Sequence, residues 1–177
     1  MSDDHRLAER VAALVRDVAG FPQPGVTFKD ITPVLADAGT FTDAVAWLGA
    51  PFAGQVDRVA AIEARGFILG APVAYALGTG LVPVRKLGKL PAETMAEAYA
   101  LEYGEATLEM HLDAVNPGER VLVVDDVIAT GGTVLATAAM LQRAGATVVA
   151  VAALLEITAL GGRGRLGEFD LHVLLPV

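Results

Sequence analysis

Cysteine is absent from all 177 residues, which excludes disulfides, zinc–thiolate sites and thiol nucleophiles. Basic residues are scarce as well: 13 Lys and Arg face 21 Asp and Glu, for a net charge of −8, a balance that argues against broad nucleic-acid binding. Long apolar runs are missing. The longest, residues 146–155, falls far short of a membrane span. Residues 1–19 carry Asp3, Asp4, Arg6, Glu9, Arg10, Arg16 and Asp17 at helical spacing instead of the apolar stretch of a signal peptide, so a cytoplasmic protein with no membrane partner is expected. Histidine offers little chemistry. His5 and His172 lie near the ends, and His111 is expected to be solvated.

What is present is apolar: 54% hydrophobic against 19% charged residues, the balance of a parallel sheet buried between helix layers. A chain of this length is most simply one domain, 1–177, burying ~70% of its unfolded surface. The periodicity predicts a first helix through Leu7, Val11, Leu14, Val15 and Val18, ending at Gly20. A second helix starts at a capping box on Thr40 and runs through Leu48. Strand 57–62, helix 66–77 and strand 81–84 make one βαβ unit; strand 121–124, helix 133–144 and strand 147–155 make another, and strand 171–175 closes the sheet. Residues 89–115 break the pattern. Residues 90–100 contain Pro91 and many alanines and read as a mobile lid, while 106–111 alternates like an exposed strand.

The chemistry concentrates in residues 121–133. Val121, Leu122, Val123 and Val124 make a buried strand, and Asp125 and Asp126 stand at its carboxyl end. Ala129, Thr130, Gly131, Gly132 and Thr133 then open into a helix. Glycines that admit a ligand to the backbone, unpaired N–H groups and two threonine hydroxyls suit a phosphate. Two carboxylates beside a phosphate would repel it unless they meet hydroxyl donors or a metal. A ribose cis-diol supplies the donors and can also ligate Mg²⁺, so the motif reads as a ribose 5-phosphate cradle. It is not a Walker loop, because no Gly-Lys-Ser/Thr follows. The nominal G-x-G-x-x-G at Gly162, Gly164 and Gly167 leaves too few residues for a dinucleotide fold.

Arg85, Lys86 and Lys89 cluster in an otherwise acidic chain and read as a further anion site. Glu63, Ala64, Arg65 and Gly66 lie between a strand and a helix. A helix start repels cations, so Arg65 needs an anionic partner. Asp125, Glu63 and Arg85 each follow a predicted strand, at the edge where open α/β sheets bind ligands.

These segments resemble the type I phosphoribosyltransferases. Residues 121–133 match that family's phosphoribosyl-diphosphate (PRPP) motif. Residues 21–33 (Phe-Pro-Gln-Pro-Gly-Val-Thr-Phe-Lys-Asp-Ile-Thr-Pro), 63–67, 85–91 and 101–104 follow in the order and spacing of the adenine-specific branch. The resemblance covers about residues 21–166. It implies a mainly parallel twisted sheet flanked by helices, an N-terminal hood over the base (about 1–35) and a flexible lid excursion (about 89–115). It also implies an enzyme of purine salvage that makes AMP and pyrophosphate from adenine and PRPP with Mg²⁺, as a homodimer.

The resemblance also assigns roles. Glu63, Ala64 and Arg65 become a pyrophosphate loop, with a cis peptide expected between Glu63 and Ala64. Arg65 would reach pyrophosphate or stack on the base. Arg65, Lys86 and Glu102 are the catalytic candidates. Arg85, Lys86 and Lys89 would offset charge on the leaving group, and Glu102 would assist removal of the purine proton, unless it is only a solvated acid. Tyr103 belongs to the lid. Val26, Thr27, Phe28 and Lys29 would form the adenine pocket, with Phe28 either stacking or core. Mg²⁺ would arrive mainly with substrate, with Asp125 as an available ligand. Gly164 replaces a glutamate usual in the family, which leaves the role of 161–166 open. Two alternatives remain: a transferase for xanthine or a 6-oxopurine, and a non-catalytic PRPP-sensing regulator, which should carry a basic face or an added DNA-binding module.

Overall fold

The computed structural model describes residues 3–100 and 105–177. By its internal contacts the chain forms two compact units, residues 1–47 and 48–177.

In the N-terminal unit, α1 (Asp3–Leu14) buries Leu7 and Val11 and packs on α2 (Thr32–Ala36). It stops six residues before Gly20, the expected end. Val18 instead sits in β1 (Arg16–Ala19), which pairs antiparallel with β2 (Thr27–Asp30) from Arg16↔Asp30 to Ala19↔Thr27. The apolar spacing of 14, 15 and 18 is compatible with helix, but the hairpin closed through Gly20 wins: the Gly20 N–H donates to Val26 O. The next helix, α3 (Ala38–Gly49), begins two residues before Thr40. Its cap is Asp37, whose Oδ1 accepts the Thr40 N–H at 2.8 Å. Thr40 is buried in the first turn.

The second unit is built on a seven-stranded sheet in the order β5-β6-β4-β3-β7-β8-β9. Its strands are β3 (Arg58–Ile62), β4 (Gly80–Lys86), β5 (Thr94–Ala100), β6 (Glu105–His111), β7 (Arg120–Ile128), β8 (Thr147–Glu156) and β9 (Leu171–Pro176). The run β4-β3-β7-β8-β9 is parallel throughout. Helix α4 (Arg65–Leu77) links β3 to β4, and α5 (Gly132–Arg143) links β7 to β8. The two crossovers leave neighbouring strands in opposite directions, so the right-handed rule puts the helices on opposite faces. The uninterrupted apolar run of β7 follows: Val121, Leu122, Val123 and Val124 are fully buried. Between β3 and β7 lies the point where the connections diverge, the place such sheets leave a crevice at their carboxyl edge.

The excursion is more regular than its sequence suggests. Residues 94–100 form a strand, paired with β6 from Thr94↔His111 to Ala100↔Glu105. β6 is not an exposed strand either: Leu108, Glu109 and Met110 are all buried. It meets β4 at Arg85↔Glu109 and Lys86↔Leu108, and the Leu87 N–H donates to Thr107 O, so the hairpin continues beyond the carboxyl end of β4. Pro91 precedes the strand and leaves its pairing intact.

Candidate active site

The glycine-rich stretch after β7 is a tight entry to α5. Gly131 is the N-cap with φ +79°, a conformation that suits glycine, and no side chain caps the helix. The first-turn N–H groups therefore lack intrahelical partners. Helix α5 starts at Gly132, so Gly132 and Thr133 are its first residues, one position earlier than the pattern predicts.

Asp125 and Asp126 differ from expectation in one respect. β7 does not end at Val124 but runs to Ile128, so both acids lie inside the strand, 7% and 4% exposed. The neighbouring parallel strand supplies backbone partners that far, with Asp125 opposite Ala153 and Val127 opposite Leu155. Burial, then the neighbouring Asp126 charge, pushes the Asp125 carboxyl well above its ordinary value. Burial raises Asp126 too, against the opposing pull of the Arg65 charge. Arg65 Nε lies 2.8 Å from Asp126 Oδ2 as an ion pair, while that oxygen is buried and accepts no well-aligned hydrogen bond. The anionic partner expected for Arg65 is thus Asp126. The other close neighbour is backbone: a Cβ on Gly66 would lie 2.9 Å from Asp125 Oδ1, so the start of α4 abuts the acid pair. Tyr99 of β5 faces the same group, and burial with the Asp125 charge raises its phenol.

Beside this pair, β3 delivers Glu63, joined to Ala64 by the expected cis peptide. Glu63 Oε2 accepts from Arg85 Nε (3.2 Å) and from the Lys86 N–H (3.0 Å). Burial alone would raise Glu63, but these donors outweigh it and hold the carboxyl low. Glu63 therefore orients the end of β4. Arg85 Nη1 also donates to Lys89 O at 3.0 Å, which folds the turn back on its own strand. Lys86 and Lys89 are exposed on that turn.

Sequence reasoning missed Glu109. Only 3% exposed, it accepts from the Lys89 N–H (2.8 Å), the Leu90 N–H (2.9 Å) and Thr94 Oγ1 (3.1 Å), pinning the Lys89 turn to the hairpin. A charged residue between Leu108 and Met110 looks like ordinary solvent-facing alternation. Nothing in the pattern marks it as an internal acceptor.

The structure thus brings Glu63, Arg65, Arg85, Asp125, Asp126 and the Ala129–Thr133 loop to adjoining strand ends. Val26, Thr27, Phe28 and Lys29 belong to the N-terminal unit. Phe28 there meets Phe21 edge-to-face, with centroids 5.2 Å apart at 77°. Lys29 Nζ pairs with Asp17 at 2.7 Å. Glu102 and Tyr103 lie outside the described residues.

A phosphoribosyl transferase domain matches residues 38–165. An adenine phosphoribosyltransferase of Nocardioides sp. is 58% identical over 170 residues, covering 93% of this chain and 92% of its own length. That of Thermobifida fusca is 56% identical, with 92% and 93% covered. Among solved structures, the adenine phosphoribosyltransferase of Rhodothermus marinus superposes with a TM-score of 0.94 at 50% identity, over 98% of this chain and 99% of that one. The Saccharomyces cerevisiae protein, in a complex with adenine and an imino-altritol bisphosphate, gives 0.90 at 31% identity, with 97% and 99% covered.

Proposed function

The chain belongs to the adenine phosphoribosyltransferases, and from that premise we propose how its residues make AMP and pyrophosphate from adenine and PRPP in purine salvage. The observation that carries the reading is the meeting of an acid pair, an uncapped glycine-led helix start and two arginines at the strand ends of one parallel sheet.

The Ala129–Thr133 loop takes the 5-phosphate, whose charge suits the N-terminal end of α5. Asp125 and Asp126 accept the ribose hydroxyls. Two buried acids with raised proton affinity favour a ligand that brings donors, and a cis-diol brings two. Arg65, Arg85, Lys86 and Lys89 face the diphosphate, with Glu63 holding Arg85 in place.

In the reaction, N9 of adenine forms a bond to C1 of the ribose as the bond from C1 to the diphosphate oxygen breaks. The electron pair leaves with pyrophosphate, and the N9 proton is lost. Charge moves onto the leaving group while the sugar gains oxocarbenium character. Fixed cations on β4 and at the start of α4 stabilise that distribution, each such contact typically by a few kcal/mol. Glu102 is our candidate to receive the base proton, with Tyr103 beside it in sequence, and Val26, Thr27, Phe28 and Lys29 are our candidates to bind adenine.

The donor set fits a hard divalent cation such as Mg²⁺, since the acid pair offers only oxygens and the Asp126 carboxylate is already paired with Arg65, which leaves Asp125. Among the described residues no cluster of three or more His, Asp or Glu could hold a metal, so the ion is carried by PRPP, with Asp125 as the available protein ligand. When bound, it would neutralise diphosphate charge.

A homodimer is part of the same proposal. Ile68 and Tyr75 share a face of α4, and Tyr75 is 89% exposed; Leu81 and Leu87 of the adjoining β4 segment are exposed as well. A cytoplasmic location suits the cysteine-free chain, and no helix among the described residues is long and apolar enough to cross a membrane.

Incubation with PRPP, Mg²⁺ and each of adenine, hypoxanthine, guanine and xanthine tests the reading. AMP from adenine alone is expected. Preferential turnover of an oxopurine, or none of any base, would overturn it.

A further inference from the structure

Residues 161–166 match no part of the reaction described above, yet three of them, Gly162, Arg165 and Leu166, contact the phosphate loop. Gly162 is buried so close beneath Ala129 that a Cβ there would lie 2.3 Å from Ala129 O. Arg165 Nη1 donates to Thr130 O at 3.1 Å. The fully buried Leu166 packs on Gly131, where a Cβ would meet its Cγ at 3.0 Å. The segment is itself anchored. Arg163 grips the buried Glu156 with Nε at 3.1 and 3.0 Å and Nη2 at 2.6 Å. Glu156 ends β8 opposite Ile128, the last residue before the loop. Both ends of this brace therefore stand on the same pair of strands.

We propose that residues 162–166 position the phosphate loop: Gly162, Arg165 and Leu166 fix Ala129, Thr130 and Gly131 in turn, and so set affinity for the ribose 5-phosphate half of PRPP. The proposal rests on the reading of 129–133 as the phosphate site. An anion held by backbone N–H groups is sensitive to their direction, because hydrogen bonds weaken steeply with misalignment. A loop of small residues cannot hold that direction through its own packing. The brace supplies it from outside. Gly164 takes no part in these contacts: a Cβ there meets nothing within 4 Å, so the absence of the family's usual glutamate leaves the brace intact.

The experiment separates the two halves of the substrate, measuring binding of ribose 5-phosphate and of inorganic pyrophosphate by calorimetry. Arg165→Met should weaken ribose 5-phosphate by about two- to fivefold, the worth of one exposed hydrogen bond, and leave pyrophosphate unchanged. Arg165→Lys should restore part of the loss. Gly162→Ala, by pushing on Ala129, should cost about tenfold or more; if that variant does not fold, Arg165→Met decides. Gly164→Glu should change neither affinity. The proposal is overturned if Arg165→Met binds ribose 5-phosphate normally, or loses both ligands equally as a general loosening would. Thr133→Val checks the underlying site separately. Should it leave ribose 5-phosphate binding intact while Arg165→Met weakens it, the assignment of the loop is at fault, and the brace acts on something other than this phosphate.

Discussion

Replacing Asp125 with asparagine should make the free protein more stable and the enzyme worse. Asp125 is buried, and desolvation followed by the Asp126 charge raises its proton affinity well above the ordinary value of 3.8. For an acid with a raised folded-state pKa, the folded chain holds the proton more tightly than the unfolded chain. Its stabilising contribution is complete below about 3.8 and is lost as pH climbs toward and through the folded value. Above the ordinary value, folding must therefore either hold a disfavoured charge or take up a proton, a cost that grows with pH until the folded value is passed. Asparagine is nearly isosteric, keeps an Oδ1 to accept the Asp126 N–H, now at 2.9 Å, and removes the charge. The gain should be about 1–2 kcal/mol at pH 8, in the range of site substitutions that trade function for stability. For a domain of this size that raises Tm by roughly 2–8 °C. Ribose 5-phosphate should bind about 10- to 100-fold more weakly, because a hydroxyl donor loses a charged acceptor.

Thermal melts of both proteins at pH 5 and pH 8, without ligand, provide the assay. Every group outside the acid pair is shared, so the difference between the two proteins reports Asp125 together with its coupling to Asp126, and it should widen from pH 5 to pH 8. An asparagine variant that melts lower than the native protein by the same margin at both pH values would refute the reasoning. The carboxylate would then be held by its surroundings as a charge.

Glu109→Ala removes the acceptor for two backbone N–H groups and a hydroxyl, and should cost about 1–3 kcal/mol in urea denaturation together with pyrophosphate affinity; unchanged pyrophosphate binding would detach it from the Lys89 turn. AMP formation should cease in excess chelator and return with Mg²⁺, as product assays will show. Tyr75→Glu should convert a dimer to a species near 18.3 kDa in sedimentation, whereas a native protein already sedimenting there would remove the dimer from the proposal.

The parallel core was legible because its signal is redundant. Residues 121–124 admit no polar face, and glycines and charged residues punctuate each βαβ unit. The loop of 129–133 could be read for the same reason, since small residues before a helix leave few uses other than an anion. What stayed hidden depends on side chains meeting across the sheet. That Glu63 serves Arg85 and Lys86, that Arg65 answers Asp126, and that Glu109 is an internal acceptor follow from strand order, which no local pattern encodes. The residues near Val18 went astray because four-residue strands carry too few positions to outvote a helical period. Residues 94–100 misled for another reason: alanines offer little side-chain evidence, and the ladder with β6 is made by backbone.

The attachment of the β5–β6 hairpin has a mechanical consequence. The parallel strands share long ladders, whereas β6 meets β4 at two register pairs, Arg85↔Glu109 and Lys86↔Leu108. The outer strand of the hairpin leans on α5 instead: Arg143, the last residue of that helix, pairs with Glu97 and donates to Ala96 O at 2.8 Å. The helix that opens at the glycine-rich loop therefore closes on the hairpin. One rigid rod joins the two, so on the proposed reading a phosphate seated at its start is felt by the strand pair at its end.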